Sequence, residues 1–243
     1  MRSYSSVLCH VLNTNPDIDG YGELMIPYRG RRDLLRMRHL AAVTLDRRLT
    51  GRYVLDKVLH DHFPIADSVL ASRRATVMVS IRTPQDAVAS IVTMGRKRGP
   101  NNWKADPERA ASHYRDRLAT CVSAAERRRD VIFFPAEAVV SESDTLLAGL
   151  TEALRLDVPL RPTYEVGAHT GRAGFGDTSH RIREGSIRPE TTEHDVRLPA
   201  ALVDELWSDY DSAYAALLSR AGTVLCPAST TTADRTGDAG TDL

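Results

Sequence analysis

The sequence contains few cysteines and no long apolar run. Among its 243 residues are three cysteines, Cys9, Cys121 and Cys226, which lie far apart and form no CxxC pair. This spacing predicts neither a disulfide framework nor a zinc site, and we expect a reduced, cytoplasmic setting. No stretch approaches the ~20 apolar residues that a spanning helix requires, and the N-terminus has no apolar core of a signal peptide. We therefore expect a soluble protein without a membrane span.

The chain also lacks an excess of charge of either sign, because 32 Lys and Arg residues balance 32 Asp and Glu residues. No global field is expected to attract nucleic acid or anionic lipid, so an anion site must be local. The Arg-rich segment 107–128 is interrupted by Glu108, Asp116 and Glu126. This pattern predicts a solvated helix face and no nucleic-acid partner.

Strand patterns alternate with helical patterns along the chain. Apolar periodicity predicts helices at 5–13, 31–43, 85–93, 107–128, 143–155 and 199–218. Strands are predicted at 53–58, 75–81 and 131–134, and the last two are as continuously apolar as strands covered on both faces. The order predicts an α/β domain with a parallel sheet over residues 1–226, followed by a disordered tail over 227–243.

The first candidate anion site is the opening segment. Arg2, Ser3, Tyr4, Ser5 and Ser6 precede a predicted helix. A cation, hydroxyl groups and the N–H groups at the positive end of a helix favour a phosphate or sulfate ligand. The serines also fit an ordinary helix cap.

Two further segments combine cations with the ends of predicted elements. Arg82 lies at the carboxyl end of a buried strand, where open α/β sheets bind ligands, and Ser90 lies two helical turns later. Taken alone, the pair also fits an arginine at a turn and a serine on a helix face. Segment 171–181 sets three glycines among Arg172, His180 and Arg181, which fits a loop over an anion or a surface linker.

Together these segments resemble the sulfotransferases that use 3′-phosphoadenosine 5′-phosphosulfate (PAPS), especially the bacterial and tyrosylprotein-type members. Arg2-Ser3-Tyr4-Ser5-Ser6-Val7-Leu8 resembles their 5′-phosphosulfate loop, Arg-Ser-Gly-[Ser/Thr]-[Ser/Thr]-Leu-Leu, with Tyr4 in place of the glycine. Arg82 and Ser90 resemble the 3′-phosphate pair of the family. Asp56-Lys57 resembles its lysine-bearing strand, and 171–185 resembles its late cofactor loop, where Arg172 and Arg181 would contact the cofactor.

The resemblance implies a fold, a cofactor and roles for single residues. The implied fold is a P-loop NTPase-like three-layer α/β/α domain with a central parallel sheet. PAPS would be the sulfuryl donor, no metal would take part, and Lys57 would stabilise the transferring oxygens. Glu23 would be the general base for the acceptor hydroxyl, with His10, His60 and His62 as the runner-up bases.

The family's loop follows an apolar strand at the centre of the sheet, and no such strand precedes Arg2. We therefore expect either a true start upstream of Met1 or a truncated product. A P-loop kinase-like phosphotransferase is an alternative, although the Lys-Ser/Thr pair of its phosphate loop is missing. A non-catalytic nucleotide-binding protein is another. The acceptor is expected to be a small molecule or carbohydrate hydroxyl, and no motif identifies it.

Overall fold

The structure is a computed structural model that describes residues 3–20, 22–59, 63–99, 101–167, 170–171, 180–188 and 196–227. Its α-helices are α1 (Ser5–Thr14), α2 (Arg31–Leu45), α3 (Asp67–Leu70), α4 (Pro84–Lys97), α5 (Pro107–Arg127), α6 (Ala138–Ser141), α7 (Ser143–Ala153) and α8 (Ala200–Arg220). Its strands are β1 (Ile18–Asp19), β2 (Tyr53–Val54), β3 (Met78–Ile81), β4 (Ile132–Pro135) and β5 (Thr223–Val224). Short 3₁₀ turns cover Trp103–Ala105 and His180–Arg183.

The strands form two parallel sheets. In one sheet β1 pairs with β2, and Ile18 lies opposite Tyr53. In the other, β4 lies between β3 and β5. Since all these pairs are parallel, the carboxyl ends of the strands within each sheet lie at one edge of that sheet, where α/β proteins place their ligands.

Helices cover both faces of the three-stranded sheet. Phe133 of β4 is buried in a core formed with α4, α5 and α8. Ile132 and Phe134, its neighbours on the same strand, are buried in a second core formed with α1, α7 and Ile18 of β1. Consecutive strand residues point to opposite faces, so β4 is apolar throughout because both of its faces are covered.

The predicted α/β class with parallel strands is confirmed, and the long predicted helices are present within a few residues of their predicted ends. The predicted strand 53–58 is longer than the strand in the structure, because β2 comprises only Tyr53–Val54. Four short elements were not predicted, namely β1 and β5, which are two residues long, and the single-turn helices α3 and α6. None of these is long enough to show a periodicity. The predicted disordered tail lies, apart from Pro227, outside the described residues.

Extended pairing continues beyond β2 and leads directly to Lys57. The backbone N–H of Leu55 donates to Asp19 O at 2.7 Å, and that of Lys57 donates to Gly22 O at 3.2 Å. Gly20 lies against this segment with φ +133°, and a Cβ atom there would be 2.3 Å from Leu55 O. Only glycine satisfies both the backbone conformation and the close approach of the two chains.

We expect Gly20→Ala to lower the free energy of unfolding by roughly 2–4 kcal/mol, because it adds both a steric clash and backbone strain. Gly30→Ala is the matched control, since its φ is −178° and a Cβ there meets nothing within 4 Å. The control should cost about 1 kcal/mol or less. Urea denaturation of both variants measures the difference, and equal losses would show that segments 17–22 and 53–57 are not this close.

Candidate functional site

The start of α1 is the centre of the candidate site. Tyr4 precedes the helix with φ 52° and ψ 9°, a left-handed conformation, and Ser3 before it is buried. The first helical hydrogen bond runs from Leu8 N–H to Tyr4 O at 3.2 Å. At such a helix start the backbone N–H groups of the first turn point along the helix axis and present partial positive charge.

Lys57 contacts this helix start from the side of β2. Its Nζ donates to Ser6 Oγ at 3.0 Å and lies 3.2 Å from Glu23 Oε1. The side chains of Lys57 and Glu23 are 7% and 9% exposed, so the ion pair is almost fully removed from water. The structure thus brings Ser6, Lys57 and Glu23 into one cluster, although they come from three separate segments.

Asp56 holds the Glu23 segment in place. Its carboxylate accepts the backbone N–H of Leu24 at 2.9 Å and the hydroxyl of Tyr28. Burial raises the pKa of Asp56, while the hydrogen bonds from Tyr28 and Leu24 act in the opposite direction. Glu23 lies between Gly22 and Leu24. Gly22 accepts the N–H of Lys57 and Leu24 donates its N–H to Asp56, so these bonds direct the Glu23 side chain to Lys57. The sequence analysis gave Asp56 no role in the site, because nothing local shows where a carboxylate next to Lys57 points.

A shallow pocket opens beside the Glu23–Lys57 pair. Besides these two residues it is lined by Asp56 and by apolar side chains, namely Met25, Ile26, Val58, Leu59 and Phe63. The ion pair thus borders a small opening of mixed polar and apolar character.

Arg82 contacts the same helix start from the side of β3. It follows Ile81, the last residue of the strand, and is buried. Its Nη2 donates to Tyr4 Oη at 3.0 Å and to Asp86 Oδ2 at 3.1 Å, and its Cζ lies 4.5 Å from the centre of the Tyr4 ring. The hydroxyl of Tyr114 donates to the Arg82 carbonyl at 2.6 Å, which fixes the backbone at this point.

Ser90 is buried on α4. It lies four residues after Asp86, and residues at this spacing share one face of a helix. Arg82 contacts α4 at Asp86, and Ser90 therefore lies on the same face of the helix one turn later. Asp86 stands between Arg82 and Ser90 in the sequence and contacts the first of them, and this contact was not predicted.

Glu137, which follows β4, completes the polar edge of the three-stranded sheet. Its Oε1 accepts the backbone N–H and the hydroxyl of Thr83, each at 2.8 Å. The turn after Arg82 is thereby fixed to the end of the neighbouring strand. This contact between distant segments was also not foreseen.

Arg181, unlike Arg172, lies in the described part of the late basic loop. It belongs to the 3₁₀ turn His180–Arg183 and is exposed. Burial raises the pKa of the Tyr4 hydroxyl, and the positive charges of Arg82 and Arg181 oppose this rise. The charge of Arg181 therefore acts on the Tyr4 hydroxyl at the start of α1. Arg2 and Arg172, the other predicted cofactor contacts, lie outside the described residues.

His10 is held inside the fold at both ring nitrogens. Its Nδ1 lies 2.8 Å from Ser6 O, which can only accept, so Nδ1 carries the proton. In the neutral ring, Nε2 then accepts from the hydroxyl of Thr170, at 3.1 Å. A histidine bonded in this way supports α1 and is a poor candidate for the base. His60 and His62, the two remaining histidines predicted as runner-up bases, lie outside the described residues.

The Asn15-Pro16-Asp17 turn supports the fold. Asn15 Oδ1 accepts the N–H of Asp17 at 3.0 Å, and Asn15 Nδ2 donates to Val158 O at 2.7 Å. Both bonds fix the chain between α1 and β1. The turn therefore influences the site by setting the path of the backbone that leads away from α1.

Comparison with known proteins finds no matching family model, no matching curated protein and no matching solved structure. Within the described ranges, no three His, Cys, Asp or Glu side chains are grouped so that they could hold a metal ion. The helices in those ranges include none that is long and apolar enough to cross a membrane. The geometry of the site is therefore the basis for its function.

Proposed function

We propose that this protein transfers a sulfuryl group from PAPS to a hydroxyl group of an acceptor, on a P-loop NTPase-like fold. The observation that carries the proposal is the convergence of two cations on one helix start. Lys57, which follows β2, contacts Ser6, and Arg82, which follows β3, contacts Tyr4. PAPS carries negative charge at two separate positions, the 5′-phosphosulfate and the 3′-phosphate, and this arrangement offers one cation to each.

In the proposed complex, the 5′-phosphosulfate lies at the start of α1. The N–H groups of Ser5 and Ser6 and the positive helix end bind its oxygens, while Lys57 reaches the transferring group. Arg82 and Ser90 bind the 3′-phosphate. A guanidinium suits a phosphate because it presents two parallel N–H donors.

The transfer exchanges one sulfur–oxygen bond for another. The acceptor oxygen forms a bond to sulfur, the bond from sulfur to the phosphate oxygen breaks, and 3′-phosphoadenosine 5′-phosphate (PAP) leaves with the bonding electrons. The acceptor proton passes to Glu23. Like phosphoryl transfer, this step requires mainly alignment and stabilisation of the charge that develops on the oxygens.

The Glu23–Lys57 ion pair couples the uptake of the acceptor proton by Glu23 to the stabilisation of the leaving oxygen by Lys57. Before transfer, Lys57 is balanced by the Glu23 carboxylate at 3.2 Å. As Glu23 takes up the acceptor proton it becomes neutral, and the field of Lys57 then acts fully on the leaving oxygen. An interaction that strengthens only as the reaction proceeds accelerates the chemical step.

A non-catalytic nucleotide-binding role is the second candidate. The burial of the Glu23–Lys57 pair favours it, because two charged groups that are 9% and 7% exposed can stay bonded to each other while a nucleotide binds at the start of α1. A labelled-sulfate assay with a simple phenol as acceptor separates the two roles. Transfer above the rate without protein indicates an enzyme, and tight binding of PAP without transfer indicates the binding role.

We expect PAP to bind about 10–150-fold more tightly than AMP, because the 3′-phosphate adds a charge-assisted contact worth about 1.5–3 kcal/mol. Isothermal titration calorimetry of the two nucleotides measures this ratio. Equal affinities would contradict the assignment of a 3′-phosphate site.

Arg82→Ala serves as the control for this experiment and should bring the ratio close to one. Arg82→Lys should restore only part of it, since a point charge replaces the guanidinium fork. An Arg82→Ala protein that keeps its fold and still prefers PAP would place the 3′-phosphate elsewhere.

A further inference from the structure

The side chain of Tyr4 covers the arginine that is proposed to bind the 3′-phosphate. Its ring lies 4.5 Å from Arg82 Cζ, and its hydroxyl accepts from Arg82 Nη2 at 3.0 Å. Both the face of the guanidinium and one of its donor nitrogens are therefore in contact with the same tyrosine. A phosphate bound by two parallel N–H donors needs that edge of the guanidinium.

Tyr4 reaches Arg82 from an unusual backbone position. Its φ of 52° lies in the left-handed region, which side chains other than those of glycine, asparagine and aspartate rarely adopt. A glycine at this position would start α1 without strain and would leave Arg82 uncovered. The backbone strain at position 4 and the covering of Arg82 therefore both arise from the tyrosine side chain at this position.

The hydroxyl of Tyr4 can compete with a phosphate without repelling it. Burial raises the pKa of this hydroxyl, so it is neutral near pH 7. Asp86 differs in this respect, since its carboxylate, 3.1 Å from Arg82 Nη2, would also repel a phosphate. Tyr4 is therefore the contact that a bound phosphate can displace without a like-charge penalty.

We propose that Tyr4 determines how strongly this protein selects a 3′-phosphorylated nucleotide, because its side chain competes with the 3′-phosphate for Arg82. The inference rests on the proposed function, in which Arg82 binds that phosphate. PAP must displace Tyr4 from the guanidinium to bind its 3′-phosphate there. AMP has no 3′-phosphate and does not have to displace Tyr4. Tyr4 thereby reduces the preference for PAP.

The test compares PAP and AMP binding by calorimetry in the unmodified chain and three variants. Tyr4→Gly should bind PAP about tenfold more tightly, since a cation–π contact and a charged hydrogen bond no longer have to be broken. Its AMP affinity should rise less than its PAP affinity, because AMP has no 3′-phosphate to place on Arg82. Tyr4→Phe, which keeps the ring and removes the hydroxyl, should tighten PAP binding about threefold by the same reasoning.

Tyr53→Phe is the matched control, because Tyr53 also lies beside an arginine, with Arg52 Cζ 5.2 Å from its ring, and also uses its hydroxyl in a hydrogen bond. This variant should leave both affinities unchanged. A second readout follows the ring itself. Addition of PAP to the unmodified chain should change the ultraviolet difference spectrum of tyrosine, and this change should shrink in Tyr4→Phe.

The outcomes separate this inference from the proposed function. If the unmodified chain prefers PAP but Tyr4→Gly and Tyr4→Phe bind it equally or more weakly, Tyr4 supports the site and the inference is wrong. If Tyr4→Gly does not fold, the Tyr4→Phe affinity and the tyrosine spectrum still decide. If neither the unmodified chain nor any variant distinguishes PAP from AMP, both the proposed function and the inference fail.

Discussion

Replacement of Glu23 by glutamine should reduce turnover by about 10²–10⁴-fold, the usual contribution of a positioned general base. Glutamine has nearly the same size as glutamate and can still accept a hydrogen bond from Lys57, but it cannot accept the acceptor proton. The affinity for PAP should not fall, since Glu23 does not lie in the Arg82 cluster and its replacement leaves the positive charge of Lys57 unbalanced beside the 5′-phosphate. The loss should therefore appear in kcat.

The measurement uses a labelled sulfate donor with a simple phenol as acceptor, together with calorimetry of PAP. Glu205→Gln is the control, because Glu205 also forms an ion pair, with Arg115 at 2.8 Å, but is exposed and belongs to α8. It should keep full turnover. A Glu23→Gln protein with near-normal turnover would exclude Glu23 as the base, and the residues outside the described ranges, among them His60 and His62, would become the candidates.

The helices that were predicted well have long periodic patterns. Segment 107–128 corresponds to α5, which has buried residues from Ala110 to Ala125 along one face. The apolar strand 131–134 corresponds to β4, which is buried on both sides. In these cases the local pattern and the final burial are the same property.

The contacts within the candidate site could not be derived from local patterns. Tyr4 and Arg82 are 78 residues apart, and Lys57 and Ser6 are 51 residues apart. Whether such residues meet depends on the order of strands in the sheet and on the path of each connection, which a pattern of apolar residues does not specify. The resemblance to a family suggested which residues to consider, but it did not predict that Tyr4 and Asp86 would contact Arg82.

Lys57 should have the second largest effect. Lys57→Met should reduce turnover by about 10²–10³-fold, as expected when one preorganised donor to a developing oxyanion is lost. Methionine approximates the length and the apolar stem of lysine, so the packing against β2 is retained. The substitution also leaves the Glu23 carboxylate, 9% exposed, without its cation.

This second consequence predicts a loss of stability that must be separated from the loss of catalysis. Removal of one partner from a buried ion pair costs about 3–5 kcal/mol, because the remaining charge is buried without compensation. Lys57→Met should therefore be clearly less stable in urea. Glu23→Gln/Lys57→Met removes both charges and should recover most of that stability, since two neutral side chains of similar volume replace the pair.

The double variant decides what Lys57 does. If Lys57 stabilises the transferring oxygens, the double variant is stable but slower than Glu23→Gln, which keeps the lysine. Lys97→Met, at the exposed end of α4, should change neither stability nor turnover and controls for the loss of a positive charge. A double variant that is stable and turns over as fast as Glu23→Gln would show that Lys57 only balances Glu23. In that case the positive end of α1 would have to stabilise the leaving oxygen without a lysine.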